Sequence, residues 1–172
     1  MQPTNPLLLR LRLLVPAVLA ATLLAACNPT YNWRDHSSAD GGYKVLFPAK
    51  PATFTRPVDV DGLRVEMTMT AAEVDGTTFA VGGAVAPDAA RAQAALPAMR
   101  LALLRNIGAD ETVAQDGLRV DARGANANRQ PMHLHGRFEA RGARFYQVIV
   151  LGPADTAPPE QVEQFLSSFT LL

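Results

Sequence analysis

Two histidines with metal-ligand spacing are the clearest chemical signal in this sequence. His133 and His135 are separated by one residue, and residues two apart in a β-strand share a face, so both imidazoles would point the same way. A zinc site needs three or four ligands, and only His36 and scattered carboxylates remain to complete one. Apolar Leu134 and Phe138 belong to the opposite row, as in a strand with one polar and one apolar face. We therefore predict no bound metal or cofactor and keep His133 and His135 as candidate ligands.

A second group of reactive residue types lies near the N-terminus. His36, Ser37, Ser38 and Asp40 place the three residue types of a hydrolase triad within five positions. Triad members are brought together by a fold and oriented through the base, and adjacency in a loop supplies neither. The sequence also contains no nucleophile elbow, phosphate loop or dinucleotide fingerprint. We predict a polar linker here, name no catalytic residue and favour a non-catalytic role.

Arginine is concentrated in the segment between residues 119 and 144. Six arginines stand there against two acidic residues, Asp121 and Glu139. Arg137, Arg141 and Arg144 lie closest together, and we take them as candidate contacts for an anionic lipid headgroup or an acidic envelope protein. The alternative is a set of ordinary solvated strand faces and hairpin tips.

The N-terminal segment has the layout of an export signal. Arg10 and Arg12 precede an uncharged stretch from Leu13 through Ala26. A positive start followed by a short apolar run and small residues is typical of a secretory signal peptide. The run has 14 residues, whereas a transmembrane helix needs about 20. We predict that residues 1–26 are a signal peptide.

The end of this signal resembles the lipobox of bacterial lipoproteins. The motif reads Leu24-Ala25-Ala26-Cys27, and Cys27 is the single cysteine of the chain. The resemblance implies cleavage between Ala26 and Cys27, acylation of Cys27 by fatty acids such as palmitate, and a firm anchor of two or three acyl chains. In that family aspartate after the cysteine retains the protein in the inner membrane, so Asn28 implies the outer membrane, facing the periplasm. An ordinary cleaved signal with a chance cysteine is the alternative.

The remaining chain is sized for one domain. We predict a lipidated N-terminus and tether over residues 27–42 and a single α+β domain over residues 43–172. After the cut, 14 Lys+Arg face 16 Asp+Glu, a net charge of −2. That charge argues against a nucleic-acid partner.

Turn signals divide the domain into hairpins. A two-residue Asp-Gly loop between β-like runs is a strong hairpin signal, and the pattern predicts an antiparallel meander. The four predicted turns are Asp61-Gly62, Asp75-Gly76, Asp116-Gly117 and Arg141-Gly142. The first turn would oppose Asp59 to Arg64, and the last would oppose Glu139 to Arg144.

Two helices are predicted to pack on this sheet. Residues 88–107 are rich in alanine, and Pro97 predicts a break there, with one helix ending near Ala95 and another running from 97 to 107. The C-terminal helix begins at the Pro158-Pro159 pair and is amphipathic. Its apolar stripe consists of Val162, Phe165, Leu166 and Phe169.

This order of elements resembles bacterial lipoproteins of the Mog1/PsbP-like α+β class. The similar segments are "YKVLFPAKP" at 43–51 and "FLSSFTLL" at 165–172, and "YNWRD" at 31–35 resembles a group of proteobacterial lipoproteins within that class. The resemblance implies an accessory envelope role and no substrate.

The combined expectation is a lipid-anchored, periplasm-facing envelope protein that acts as a non-catalytic binding or assembly module. Three alternatives stay open. A metal-dependent enzyme would need a third ligand beside His133 and His135. A carrier of amphiphilic ligands would need a cavity between the sheet and the 97–107 helix. A purely structural surface lipoprotein would need neither.

Overall fold

The computed structural model describes residues 30–110 and 119–172. Those residues contain nine strands and two helices, so the protein is α+β, as the sequence predicts. In chain order the elements are β1 (Arg34–Ser38), β2 (Tyr43–Phe47), β3 (Ala52–Val60), β4 (Leu63–Val74), β5 (Thr77–Val85), α1 (Ala89–Asn106), β6 (Arg119–Ala125), β7 (Pro131–Arg141), β8 (Arg144–Pro153), α2 (Pro159–Ser168) and β9 (Thr170–Leu171). The lipobox through Cys27 and the predicted turn at Asp116-Gly117 lie outside the described residues.

The larger sheet consists of two three-stranded meanders placed side by side. Its strand order is β3-β4-β5-β8-β7-β6, and each neighbouring pair is antiparallel. The β5–β8 pair joins the meanders, although α1, β6 and β7 lie between these strands in the sequence. The predicted antiparallel meander is therefore confirmed within each half, whereas the central pair is a long-range contact.

The first predicted hairpin forms in the predicted register. Asp61 and Gly62 have φ angles of 51° and 83°, and two-residue type I′ turns require positive φ at both positions. The turn at residues 75–76 shows the same pair of positive angles. Asp59 lies opposite Arg64, with Arg64 Nε 3.7 Å from Asp59 Oδ2. Local turn chemistry therefore determines this part of the fold.

The register predicted for the last hairpin is wrong. Glu139 lies opposite Tyr146, and Arg144 lies opposite Arg141. The turn begins at Gly142, which has φ 58°, so the loop starts one residue later than predicted. The register moves by two residues along the partner strand, and each side chain therefore keeps its predicted face.

The predicted helix break at Pro97 is also wrong. Helix α1 is continuous through Pro97, and the Asp88 side chain caps its start by accepting a 2.8 Å hydrogen bond from the Arg91 backbone N–H. Buried residues lie on both sides of the proline, including Ala92 and Leu104, which are fully buried. Packing of this face on the sheet offsets the one hydrogen bond that proline removes, because tertiary contacts supply most helix stability in proteins.

Strand β1 lies where the sequence predicts a polar linker. It pairs with β2 and, together with β9, forms a second sheet of three strands. The prediction failed because Asp35 and Ser37 are exposed and the strand has no apolar row of its own. The His36 ring lies 5.6 Å from the Phe47 ring and 6.1 Å from the Tyr43 ring. His36 is therefore a packing residue of this sheet.

Two buried clusters lie on opposite faces of the larger sheet. On β8, Ile149 belongs to the cluster beneath α1, whereas Val148 and Val150 belong to the cluster that contains β2 and α2. The predicted stripe of α2 is confirmed, since Phe165 and its apolar neighbours on that helix are buried. Among the described residues, no helix is both long and apolar enough to span a bilayer.

Candidate functional site

Antiparallel pairing of β6 with β7 brings a carboxylate to the two histidines. Asp121 lies directly opposite His135, and His133 shares that face two residues earlier. Asp121 Oδ1 is 2.6 Å from His133 Nε2, and Asp121 Oδ2 is 3.4 Å from His135 Nδ1. The two imidazole ring centroids are 3.8 Å apart. One potential ligand atom from each of the three residues lies within 4.8 Å of the other two.

The sequence predicts that both histidines share one face, and the structure confirms it. This face is polar but largely shielded from solvent, because α2 packs on the same side of the sheet. The side chains of His133 and His135 are only 17% and 22% exposed, whereas that of Asp121 is 68% exposed. Sequence reasoning missed Asp121 as a partner. Pairing the strands across the polar loop at 126–130 would have placed it opposite His135.

An open cavity of about 660 Å³ lies beside these three residues. One wall is the β6–β7 edge, and the other comes from the segment before α2 and its first turns, including Pro159 and Val162. Two ion pairs tie the walls together. Arg119 Nη1 is 3.7 Å from Glu163 Oε2, and Arg123 Nη2 is 3.0 Å from Asp155 Oδ1. The cavity thus has a mixed-charge rim on a well-connected scaffold.

A buried hydroxyl lines the same region. A small space of about 10 Å³ is lined by Thr77 together with both histidines and Asp155. Thr77 is 2% exposed, and its Oγ1 has no hydrogen-bond partner among the protein atoms of the described residues. A buried polar group of this kind usually has a partner, and the space has the size that one water molecule needs.

Burial and mutual charge shape the protonation of the site. Desolvation lowers the pKa of His135, and the positive charge that His133 can carry lowers it further. Partial burial alone would raise the pKa of Asp121, but the hydrogen bond with His133 and the charges of His135 and Arg123 outweigh burial and lower it. Near neutral pH the site therefore combines a carboxylate with a neutral imidazole at His135.

The three arginines proposed as anionic contacts each have a partner within the protein. Arg137 Nη2 donates to Glu139 Oε2 at 2.6 Å. Arg141 Nη1 donates to the backbone carbonyl of Leu172 at 3.1 Å, and Arg144 Nη1 donates to a carbonyl of the β1–β2 turn. These contacts hold the C-terminus and a turn against the sheet. Binding of an anionic partner by these arginines stays a prediction.

A carrier would need a cavity between the sheet and residues 97–107. Met99 and Leu104 of that segment are buried in the cluster beneath α1, at 3% and 0% exposure. The cavity of about 660 Å³ lies at the other face of the sheet, beside α2. Among the described residues, the group whose geometry could hold a metal ion consists of Asp121, His133 and His135. His36, which the sequence had left as a possible third ligand, is not part of it.

Comparison with known proteins supplies no family for this chain. No protein-family model matches it, and no curated protein sequence matches it. The N-terminal motif and the geometry of the cavity are therefore the features that bear on function.

Proposed function

We propose that this protein is a lipid-anchored envelope protein of the periplasmic face, in which the α+β domain is a non-catalytic binding module. The cavity between the β6–β7 edge and α2 is its binding site. The observation that carries this proposal is the convergence of Asp121, His133 and His135 on that cavity. Ligand sites are concave and contain a few converging polar groups on a rigid scaffold, and this cavity fits that description.

The anchor is supported by the sequence from Leu24 to Cys27, which follows an apolar run of signal length. Tyr31 and Trp33 pack edge-on against the Phe79 ring, at 6.2 and 6.5 Å between centroids. The tether between Cys27 and Tyr31 therefore contains only three residues, and its four Cα–Cα steps reach about 14 Å when fully extended. Such a tether would keep the domain close to its own membrane, and Asn28 favours the outer one.

The Mog1/PsbP-like class is part of the same proposal. An antiparallel sheet with a central helix and a terminal amphipathic helix is compatible with that class. A metal-dependent enzyme is the second candidate function, because Asp121 supplies the third ligand that the histidine pair lacked. The geometry of the three side chains favours binding of an ion, and no residue of the cavity is assigned a role in a reaction.

Removal of the acyl acceptor tests the anchor. Wild-type protein expressed with labelled palmitate should carry the label, enter the detergent phase and sediment with outer membranes. Cys27→Ser should lose the label and be recovered as precursor or as soluble protein, because it lacks the acceptor of the acyl chains and no helix among the described residues is long and apolar enough to replace that anchor. A matched control adds an exposed thiol elsewhere, through Ser37→Cys in the Cys27→Ser background, and should not regain the label. Unlabelled wild type that washes off membranes in high salt would contradict the anchor.

A further inference from the structure

We infer that Asp121, His133 and His135 form a binding site for a divalent first-row transition metal ion, with Zn²⁺ as the ion to test. This inference names the ligand class of the proposed binding cavity and therefore rests on the binding role of that cavity. It does not depend on the lipid anchor.

The donor set selects the class of ion. Two imidazole nitrogens and one carboxylate oxygen are the protein ligands of open zinc sites, and the same trio holds iron in many non-haem sites. Calcium needs six to eight oxygen ligands, and magnesium prefers carboxylates and water, so imidazoles disfavour both. Three protein ligands leave at least one coordination position, and the adjoining cavity gives that position access to solvent.

The ligand atoms must shift slightly to hold an ion. Ligand atoms about 2.0 Å from a tetrahedral zinc ion lie about 3.3 Å from one another. The distance of 3.4 Å from Asp121 Oδ2 to His135 Nδ1 already matches, whereas the 2.6 Å contact of Asp121 Oδ1 with His133 Nε2 must lengthen. The two imidazole ligand atoms lie within 4.8 Å of each other and must also settle at this separation. The carboxylate can rotate at little cost because its side chain is largely exposed, and both histidines are held on a strand paired on its two sides.

Coordination also requires a change of tautomer. In the hydrogen bond with Asp121, Nε2 of His133 carries the proton. To bind a metal through Nε2, the neutral ring carries that proton on Nδ1, so the metal replaces the hydrogen bond without net loss of a proton from His133. His135 coordinates through Nδ1 and keeps its proton on Nε2.

Thr77 provides an independent observation that points to a ligand here. Its buried hydroxyl lacks a protein partner within the described residues, yet it lines the small space bordered by both histidines. Metal-bound histidines usually donate their second ring N–H to a carboxylate, a carbonyl or a water molecule. A water molecule in this space would accept from an imidazole and satisfy the Thr77 hydroxyl.

The alternative is a hydrogen-bonded Asp–His–His cluster that only stabilises the β6–β7 pair. Both arrangements predict that Asp121→Asn and His135→Gln have some effect on stability. Only a metal site predicts that these variants change zinc affinity.

Titration of full-length protein in detergent with Zn²⁺ separates the two. Calorimetry should give one ion per chain, and Zn²⁺ should raise the melting temperature. Asp121→Asn and His135→Gln should each weaken zinc binding by at least about tenfold. Loss of an outer-shell partner already costs about that much, and these variants change a ligand itself. His36→Gln removes a histidine of the other sheet, so this variant should bind zinc as wild type does.

Absence of stoichiometric binding to the wild type, or equal weakening by His36→Gln, would overturn the metal site. Melting of each variant without zinc shows that it is folded, and Asp121 is exposed enough for at least that variant to fold. An acylated protein that binds no zinc would remove this inference and leave the anchor intact. A zinc-binding protein without an acyl label would do the reverse.

Discussion

The two ends of the larger sheet carry cavities of similar size and different chemistry. At the β3–β4 end, a cavity of about 510 Å³ is lined by many hydroxyl-bearing side chains, together with the charged side chains of Asp40, Glu66 and Arg144. The hydroxyl-bearing residues include Thr53, Thr55, Thr68, Tyr43 and Tyr146. At the β6–β7 end, the cavity of about 660 Å³ contains a carboxylate and two imidazoles. Each end is formed by the two outermost strands of the sheet, β3 and β4 at one end and β6 and β7 at the other.

The hydroxyl groups at the β3–β4 end are paired with one another. Thr55 and Thr68 are joined at 2.8 Å, Thr53 and Thr70 at 3.0 Å, and the Tyr43 hydroxyl donates to Thr70 at 3.2 Å. At the other end, the Thr77 hydroxyl lacks a protein partner within the described residues. A satisfied network stabilises a fold, whereas the buried Thr77 hydroxyl without a protein partner supports our proposal that the ligand binds at the β6–β7 end.

The largest expected effect on stability comes from the face of β7 opposite the two histidines. Leu134→Ala should lower the free energy of unfolding by about 2–5 kcal/mol, because it opens a cavity in a fully buried position beneath α1. Leu134→Met keeps most of the volume and should cost less than about 1.5 kcal/mol. Urea unfolding measures both. A loss below about 1 kcal/mol for Leu134→Ala would show that this face is not tightly packed.

Two threonines that are equally buried provide a sharper comparison. Thr70 and Thr77 are each 2% exposed, but only Thr70 has hydrogen-bond partners in the protein. Thr70→Val should cost about 1–2 kcal/mol of unfolding free energy, because it leaves hydroxyl groups unpaired. Thr77→Val in zinc-free protein should cost less than about 0.5 kcal/mol, since it leaves no protein group unpaired. Equal losses in the two variants would contradict the distinction between the two ends.

The same Thr77→Val variant should weaken zinc binding. In the proposed site this hydroxyl would hold a water molecule that bridges to an imidazole, so its removal is expected to lower affinity about tenfold. Thr68→Val changes a hydroxyl at the opposite end of the sheet and serves as the control. Calorimetric titration of both variants gives the comparison, and unchanged affinity in Thr77→Val would remove Thr77 from the site.

The smallest expected effect concerns Arg141 and Arg144, the two arginines that flank the β7–β8 turn. Replacement of Arg141 by Glu and of Arg144 by Glu should weaken capture of the domain by anionic vesicles and reduce the salt dependence of the remaining binding. Glutamine at the same positions removes the internal hydrogen bonds to the backbone without reversing charge. If the glutamine and glutamate variants behave alike, the arginines act through the fold and not through a partner.

Features set by neighbouring residues were predictable from the sequence. The positive φ angles at Asp61-Gly62 and the buried stripe around Phe165 follow from turn chemistry and helical periodicity. The shared face of His133 and His135 follows from strand periodicity. Each of these depends on contacts within a few positions along the chain.

Features set by long-range packing were not predictable in the same way. Helix α1 continues through Pro97 because the sheet beneath it is apolar on both sides of that residue. Strand β1 exists because β2 offers it hydrogen bonds, although its own residues are polar. Asp121 becomes a partner of the histidines only through the β6–β7 register, which the sequence does not mark with a short turn.

The most direct test of the central claim is an anomalous difference map from a crystal of the protein grown with Zn²⁺ and measured at the zinc absorption edge. A metal site predicts one strong peak about 2.0–2.1 Å from His133 Nε2, His135 Nδ1 and an Asp121 oxygen. A map with no peak at these three side chains, or with zinc only elsewhere on the surface, would contradict it.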